Sequence, residues 1–309
     1  MGHVTVIGSL NYDCIARVTD FPRSGQSVAA RGLEFRLGGH GGVQAVAAAR
    51  QGASISLLGA VGDDSAGGEY LDALKRHSVE TEGIMVREGE PTGTAFITVT
   101  DRGESQSVIA AGANATFAAT DLEALRPFIA RASILLAQMD LPLDTVVAAL
   151  KLAPMMGTAT CLNPSPWNEH FPWGAMELDF VIVNEAEVRD LLGRVVLHLG
   201  DGAWLMPKLD QLAIQTLIVT RGADSTLVFS RRHGLMEIPT LQVSIVDATG
   251  AGDAFAGAFV AHWAESRDLT MALRAASVAG TLATLKPGAM EAMPTREKVD
   301  AMTSQLGHR

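Results

Sequence analysis

The sequence predicts an α/β protein built on a doubly wound, mainly parallel sheet flanked by helices. Candidate strands at 4–8, 55–60, 133–137, 158–162, 179–183 and 216–220 alternate with helical patterns at 43–51, 66–77, 120–131, 143–152, 184–192 and 207–214, the rhythm of βαβ units. Several of these strands are nearly unbroken apolar runs, such as Ser133-Ile-Leu-Leu-Ala137 and Asp179-Phe-Val-Ile-Val183, as expected when helices cover both faces of a sheet. Glycine-rich turns stand where strand gives way to helix, at residues 38–42 and again at 250–252.

In chain order, Val4-Thr-Val-Ile-Gly8 reads as the first strand, and residues 43–51 form an alanine-rich helix that stops at Gly52. Two stretches depart from the alternation. Residues 12–36 carry the turn signal Phe21-Pro22-Arg23-Ser24-Gly25, and residues 94–110 carry Asp101-Arg102-Gly103-Glu104 between period-2 runs. Both are read as β-hairpins outside the main sheet, either a lid at its ligand end or an ordinary antiparallel edge. Helical patterns at 251–265, 268–284 and 294–306 close the chain. No repeat or low-complexity linker divides it, so one domain over 1–309 is expected, with the lid strands inserted at about 12–36 and 94–110.

Composition removes several function classes. The net charge is −10 over 309 residues and the pI is about 5.3, which disfavours nucleic acid as partner. Hydrophobic residues reach 48%, yet no apolar run approaches the roughly 18 residues of a membrane span. The N-terminus lacks a basic segment followed by an apolar one, so a soluble, cytoplasmic protein is expected. Cys14 and Cys161 are the two cysteines; they argue against a disulfide framework, and no CxxC or HExxH spacing proposes a metal centre.

The chemistry concentrates in Asp247-Ala-Thr-Gly-Ala-Gly-Asp-Ala-Phe255. Val243, Ile245 and Val246 suggest a short strand entering this turn, and a helix follows. Gly250 and Gly252 lack a Cβ, so a ligand can approach bare amides at a helix N-terminus, which favours negative charge. A phosphate suits that position. Asp253 would repel it unless the carboxylate has chemical work, such as taking a proton from a hydroxyl nucleophile; the bland alternative is a helix cap. Gly38-Gly-His-Gly-Gly-Val43 also exposes backbone ahead of a helix, or else serves close packing. Asn11 and Asp13 follow the first strand, where an open α/β sheet binds ligands, and they suit a polyol or simply a turn. Asp140 follows another strand and would converge on the same crevice. Asn184 and Glu187 open a helix, where Glu187 would organise a hydrated magnesium ion or merely favour the helix start. Neither GxGxxG after the first strand nor GxxxxGK[ST] occurs, which removes dinucleotide-binding and P-loop readings.

Taken together, the Asp247–Phe255 segment and the Gly38–Arg50 segment resemble the two signatures of the ribokinase-like, or PfkB, family of carbohydrate kinases, and the likeness covers essentially the whole chain. The resemblance implies ATP-dependent transfer of a phosphoryl group to a primary sugar hydroxyl. Asp253 would be the general base, and the amides of Gly250, Ala251 and Gly252 the anion hole. Asn11, Asp13, Gly39, His40, Val43 and Asp140 would line the sugar site. Asn184 and Glu187 match an NxxE motif that supports magnesium and the phosphates, while Thr220, Arg221, Gly222, Ala223, Asp224 and Ser225 resemble a nucleotide-binding turn. A potassium loop would fall on Asp247, Thr249, Ala283, Lys286 and Gly288, with Ala292 where a serine is common. Magnesium, potassium and a homodimer formed through the lid are family expectations. Gly8-Ser-Leu-Asn-Tyr-Asp13, Ala111-Gly-Ala-Asn-Ala115 and Leu162-Asn-Pro-Ser-Pro166 bring the chain nearest to the ribokinase members. Two residues depart from the GGKGAN pattern of those members: His40 replaces the lysine and Val43 the asparagine. Val43 cannot make the asparagine's hydroxyl contact, so ribose, a hexose and a nucleoside all stay open; Val43, Phe96 and Ile97 would leave room for a base. A non-catalytic sugar sensor is the rival from another class.

Overall fold

A computed structural model gives the architecture of residues 2–306; Met1 and residues 307–309 of the expected domain lie outside the described residues. The chain opens with β1 (His3–Ile7), β2 (Asn11–Val18), β3 (Gly32–Gly38), α1 (His40–Arg50), β4 (Ser54–Gly62), α2 (Ser65–Arg76), β5 (Val79–Glu80) and β6 (Ile84–Arg87). A hairpin of β7 (Gly93–Thr100) and β8 (Ser105–Ala110) leads to α3 (Leu122–Ala130), β9 (Ile134–Ala137), α4 (Leu143–Met155), β10 (Ala159–Leu162), β11 (Leu178–Asn184) and α5 (Glu185–Leu192). Then come α6 (Gly202–Gln211), β12 (Ile214–Arg221), β13 (Asp224–Ser230) and β14 (Gly234–Ile238), followed by α7 (Ala251–Ser266), α8 (Leu269–Ala283) and α9 (Arg296–Leu306).

The main sheet has the order β14-β13-β12-β11-β10-β9-β1-β4-β5, with β6 also on β4. It is parallel from β12 to β5 and antiparallel at β13 and β14. From β1 the chain adds β4 and β5 on one side and β9 to β12 on the other, so strand order reverses between β1 and β9. The loops leaving those two strands meet at that point, the usual position of a ligand crevice.

The apolar runs follow from helices on both faces. Phe180 and Ile182 of β11 join the core under α1, α7 and α8, whereas Val181 and Val183 join the core with α3 to α6. Phe180 packs edge-on against Phe259 of α7, with ring centroids 5.1 Å apart. Helix α7 also presses on α1: a Cβ at Gly257 would lie 2.6 Å from the Ala47 Cβ and 2.6 Å from the Gln44 carbonyl. Glycine there permits the close crossing, and the crossing brings Gln44 to Asp253, one turn earlier on α7.

The two expected hairpins are present, and they combine into one four-stranded sheet of order β3-β2-β7-β8. Several expectations need correction. The short strand expected at Val243, Ile245 and Val246 is not formed: residues 239–246 are not part of either sheet, and Val243 and Ile245 line a cleft instead. Helix α6 begins at Gly202 rather than 207, because Pro207 lies inside the helix and is not its first residue. The turn-rich segment from 224 to 238 holds the edge hairpin β13–β14.

Candidate active site

Helices α2 and α8 are closed at their N-termini by side chains. Asp64 accepts from the Gly67 amide at 2.8 Å to cap α2, and Asp268 accepts from the Met271 amide at 2.9 Å to cap α8. Helices α1 and α7 instead begin at glycines with positive φ, Gly39 at 82° and Gly250 at 76°, and neither has a side-chain cap. No side chain therefore occupies their first-turn amides, although in α1 the Gly42 amide donates to the Ser9 carbonyl at 3.1 Å. At α7, the Ala251 amide turns to the Ala248 carbonyl at 3.2 Å. The Gly250 and Gly252 amides have no hydrogen-bond partner among the described residues. A Cβ built on Gly252 meets nothing within 4 Å, so this side of the turn faces open space.

Asp253, in the first turn of α7, is only 9% exposed. Its Oδ1 lies 2.9 Å from His40 Nδ1 and accepts from Gln44 Nε2 at 2.8 Å. The Asp253 carboxylate raises the His40 imidazole to a pKa of about 10 against the opposing effect of burial, with Asp140 and Glu187 adding to the rise. His40 is thus an imidazolium at neutral pH, the cation among these acids. Its Nε2 lies 3.4 Å from Ser165 Oγ.

The sugar-site candidates gather at the strand-order reversal. Asp140, after β9, accepts from the Ser9 amide at 3.3 Å and from the Ser9 hydroxyl. Burial pushes its carboxyl up, while His40 and Ser9 pull it back. Asp13 on β2 lies along Gly38, where a Cβ would stand 2.0 Å from its Oδ2. Burial, with Glu291 adding, raises Asp13 to about 7 despite His40 and Arg36. Asn11 accepts from Asn114 Nδ2 at 2.9 Å; Asn114 also bonds both backbone groups of Leu10, at 3.0 and 3.1 Å. A Cβ at Gly39 would clash with the Ser9 carbonyl at 2.7 Å. Val43 is only 2% exposed and belongs to the apolar core. Of the two lid residues expected to leave room for a base, Ile97 pairs with Ile15, on the same face as Asp13, and Phe96 is not on that face. Asp13 pairs with Arg36 and Ala95, whereas Cys14 pairs with Phe35 and Phe96. Alternation puts Phe96 on the face opposite Asp13.

Beside this region lies a cleft of about 320 Å³ lined by Asn184, Thr220, Arg221, Gly222, Ala223, Ala251 and Gly252, with apolar walls from Leu241, Val243, Ile245 and Phe255. Asp224 and Ser225 do not line it. The Arg221 guanidinium is engaged with the Ser225 carbonyl and hydroxyl at 2.8 and 2.7 Å and with the Leu197 carbonyl at 2.9 Å, so it braces the turn. Asn184 caps α5 through the Ala186 and Glu187 amides, both at 2.9 Å, and Glu187 accepts the Asn184 amide at 2.9 Å. Burial raises the Glu187 carboxyl; the Asn184 amide, the Ser165 hydroxyl and His40 oppose that rise.

In the loop expected to hold a monovalent cation, Asp247 accepts from the Thr249 amide at 2.9 Å and from the Gly288 amide at 3.0 Å. Burial works to raise Asp247, but these amides together with the Thr249 hydroxyl and Arg36 hold it below the usual carboxylate range. Ala283 is buried and Lys286 exposed. Ala292 is buried at 3%. Among the described residues no cluster of three or more His, Cys, Asp or Glu side chains forms a metal cage.

Sequence reasoning missed Gln44, Ser9 and Asn163. Gln44 stood out as a lone polar residue between Val43 and a run of alanines, and it proves wholly buried.

Comparison with known proteins shows the family. The family model described as pfkB family carbohydrate kinase matches residues 1–296. A ribokinase from Haemophilus influenzae is 31% identical over 295 residues, covering 96% of each chain. The crystal structure of a Cryptococcus neoformans ribokinase in complex with ADP is 31% identical, with a TM-score of 0.83, covering 98% of this chain and 100% of that one. An Arabidopsis thaliana ribokinase complexed with ribose and ATP shares the fold, with a TM-score of 0.88 at 24% identity, covering 98% of this chain and 99% of that one.

Proposed function

Because the chain belongs to the pfkB family of carbohydrate kinases, we propose that it moves the γ-phosphoryl group of ATP to a primary hydroxyl of a sugar, with Asp253 as general base. One observation carries this reading: the uncapped N-terminus of α7 sets a carboxylate and unpartnered glycine amides on the same helical turn. Amides aimed at a developing negative charge stabilise it without reorganisation, and phosphoryl transfer asks for little beyond positioning and such stabilisation. Gly250 and Gly252 supply those amides. The Ala251 amide joins them only by leaving the Ala248 carbonyl.

The cleft suits the nucleotide. Its apolar walls at Val243, Ile245 and Phe255 suit a flat base, and since Ala251 and Gly252 also line it, the phosphates of a nucleotide bound there would lie near the α7 amides. Binding of ADP by the Cryptococcus neoformans relative supports ATP as donor. Magnesium fits as an ion carried with the phosphates, since it is commonly held by one or two carboxylates plus substrate oxygens. Glu187, buried and next to Asn184, is the carboxylate that would support it, and the ion would neutralise phosphate charge. Potassium fits the Asp247 to Gly288 loop through backbone carbonyls, because both Asp247 oxygens already hold that loop together.

Asn11, Asp13, Asp140 and the Gly39 loop would hold the sugar, and ribose is the first candidate because the Haemophilus influenzae relative is a ribokinase. The small sheet would act as lid and as dimer surface. Phe35, Phe96 and Val108 lie on one rung across β3, β7 and β8, and are 56%, 53% and 70% exposed.

The test is ADP formation from ATP against D-ribose, 2-deoxyribose, fructose and adenosine. Ribose-dependent ADP release is expected. Fructose or adenosine as the preferred acceptor would reassign the sugar, and no ADP with any acceptor would favour the sensor.

A further inference from the structure

A buried chain of amides runs from the main sheet to Asp253. Asn163 Nδ2 donates to the Ile182 carbonyl at 3.0 Å, and Asn163 Oδ1 accepts from Gln44 Nε2 at 2.9 Å. Gln44 Nε2 also donates to Asp253 Oδ1 at 2.8 Å, while Gln44 Oε1 accepts from Gln138 Nε2 at 2.6 Å. The polarity of this chain is dictated from its far end. A carbonyl only accepts, so Asn163 turns its NH₂ to Ile182 and its oxygen to Gln44; Gln44 must then offer its NH₂ to Asn163 and to the carboxylate. Gln44 and Gln138 are both 0% exposed. Helix α1 carries Gln44 to this position through the close crossing at Gly257.

Two donors, Gln44 and His40, converge on the same oxygen, Oδ1. Oδ2 has no partner among the described residues, and it is not among the buried unpartnered atoms, so it is the oxygen left accessible from outside. The terminal torsion of an aspartate is broad and roughly two-fold, so an unrestrained carboxylate would not keep this arrangement. His40 stands at the rim with 37% of its side chain exposed, whereas Gln44 is anchored to β11 through Asn163 and to the end of β9 through Gln138.

We propose that Gln44 is a positioning residue for phosphoryl transfer, holding Asp253 Oδ1 so that Oδ2 receives the proton of the sugar hydroxyl. This rests on the reading of Asp253 as base. In the step, the hydroxyl O–H bond breaks and its proton passes to Oδ2. The sugar oxygen bonds the γ-phosphorus as the bond to the β-phosphate oxygen breaks, and that electron pair leaves with ADP.

The experiment places Gln44→Met in the wild-type and Asp253→Asn backgrounds and measures kcat, both KM values and the pH profile of kcat with ATP and the best sugar of the panel. The titratable groups facing the His40–Asp253 pair are Asp13 on β2, Tyr70 on α2, Asp140 after β9 and Glu187 on α5, and none is altered. In the wild-type background kcat falls about ten- to hundredfold, as expected for losing a hydrogen bond to a charged group. KM values change little, and the acidic limb moves to higher pH because the carboxylate has lost a donor. In Asp253→Asn the same change causes no further loss. An equal fractional loss in both backgrounds, or an unmoved kcat and acidic limb, overturns the proposal. If Gln44→Met does not give a cooperative melt, Gln138→Met takes its place: a smaller kcat loss with the same shift of the limb supports the proposal, and no change in either overturns it. Asp253→Asn turning over as fast as wild type would instead remove the base reading itself.

Discussion

His40 Nδ1 and Asp253 Oδ1 are 2.9 Å apart across the α1–α7 junction, so an ion pair joins the glycine loop to the first turn of α7. The pair raises the imidazole from 6.5 to about 10. A basic group with a raised folded-state pKa stabilises fully below its unfolded value and loses that contribution as pH climbs through the folded value. The melting temperature of wild type relative to His40→Gln should therefore be highest near pH 6 and decline toward pH 10. A difference that stays constant over this range would contradict the pairing.

Asp13 behaves in the opposite sense. Its carboxyl rises from 3.8 to about 7, mainly through burial, so the folded protein binds this proton more tightly than the unfolded chain, and stability falls as pH climbs from about 4 to 7. Asp13→Asn should melt higher than wild type at pH 8, with the difference shrinking toward pH 4. If Asp13 holds sugar hydroxyls, the same variant should raise the sugar KM. Equal melting at both pH values would show that Asp13 is not desolvated as described.

The two glycines of the α7 turn should separate stability from activity. Gly252 is helical, with open space where a Cβ would go, so Gly252→Ala should keep or raise the melting temperature by helix propensity, worth up to about 1 kcal/mol. The added methyl faces the incoming phosphate, and kcat should drop. Gly250 has φ 76° and would press a Cβ against Ala289 Cα at 3.2 Å, so Gly250→Ala should lose both stability, by about 1–2 kcal/mol or more, and activity. Thermal melts beside initial rates test the contrast; a fully active Gly252→Ala would remove this amide from the phosphate site.

The apolar rung of Phe35, Phe96 and Val108 should bury itself between two copies of the chain. Light scattering on the eluting protein should give twice the 32.5 kDa chain mass, and Phe96→Asp should halve it while leaving the melt cooperative. A monomeric wild type would leave this face without the proposed partner.

Much of the fold was legible because its strands are long apolar runs and its helices repeat at 3.6 residues. The failures have local causes. Val243 and Ile245 look like part of a strand because an apolar cleft wall and a buried strand share composition. Pro207 reads as the first residue of a helix, the position where proline is favoured, yet α6 carries it one turn in. The β13–β14 hairpin follows the β12–β13 turn that Arg221 and Ser225 brace, and its edge strand β14 is largely exposed and carries only a weak apolar pattern. At the site, Asp253, Gly250, Gly252 and His40 could be picked out because glycine and charge are conspicuous before a helix. Gln44 carried only its isolated polarity as a signal and its role could not be read, since its partners Asn163, Gln138 and Asp253 stand 119, 94 and 209 residues away in sequence, and only the folded sheet brings them together.

The role of Asp253 is tested most directly by comparing kcat and sugar KM of Asp253→Asn with wild type under saturating ATP·Mg²⁺. Asparagine preserves the shape of the turn but cannot take the proton, so kcat should fall by about 10²–10⁴-fold with the sugar KM little changed. Turnover at the wild-type rate would contradict the account.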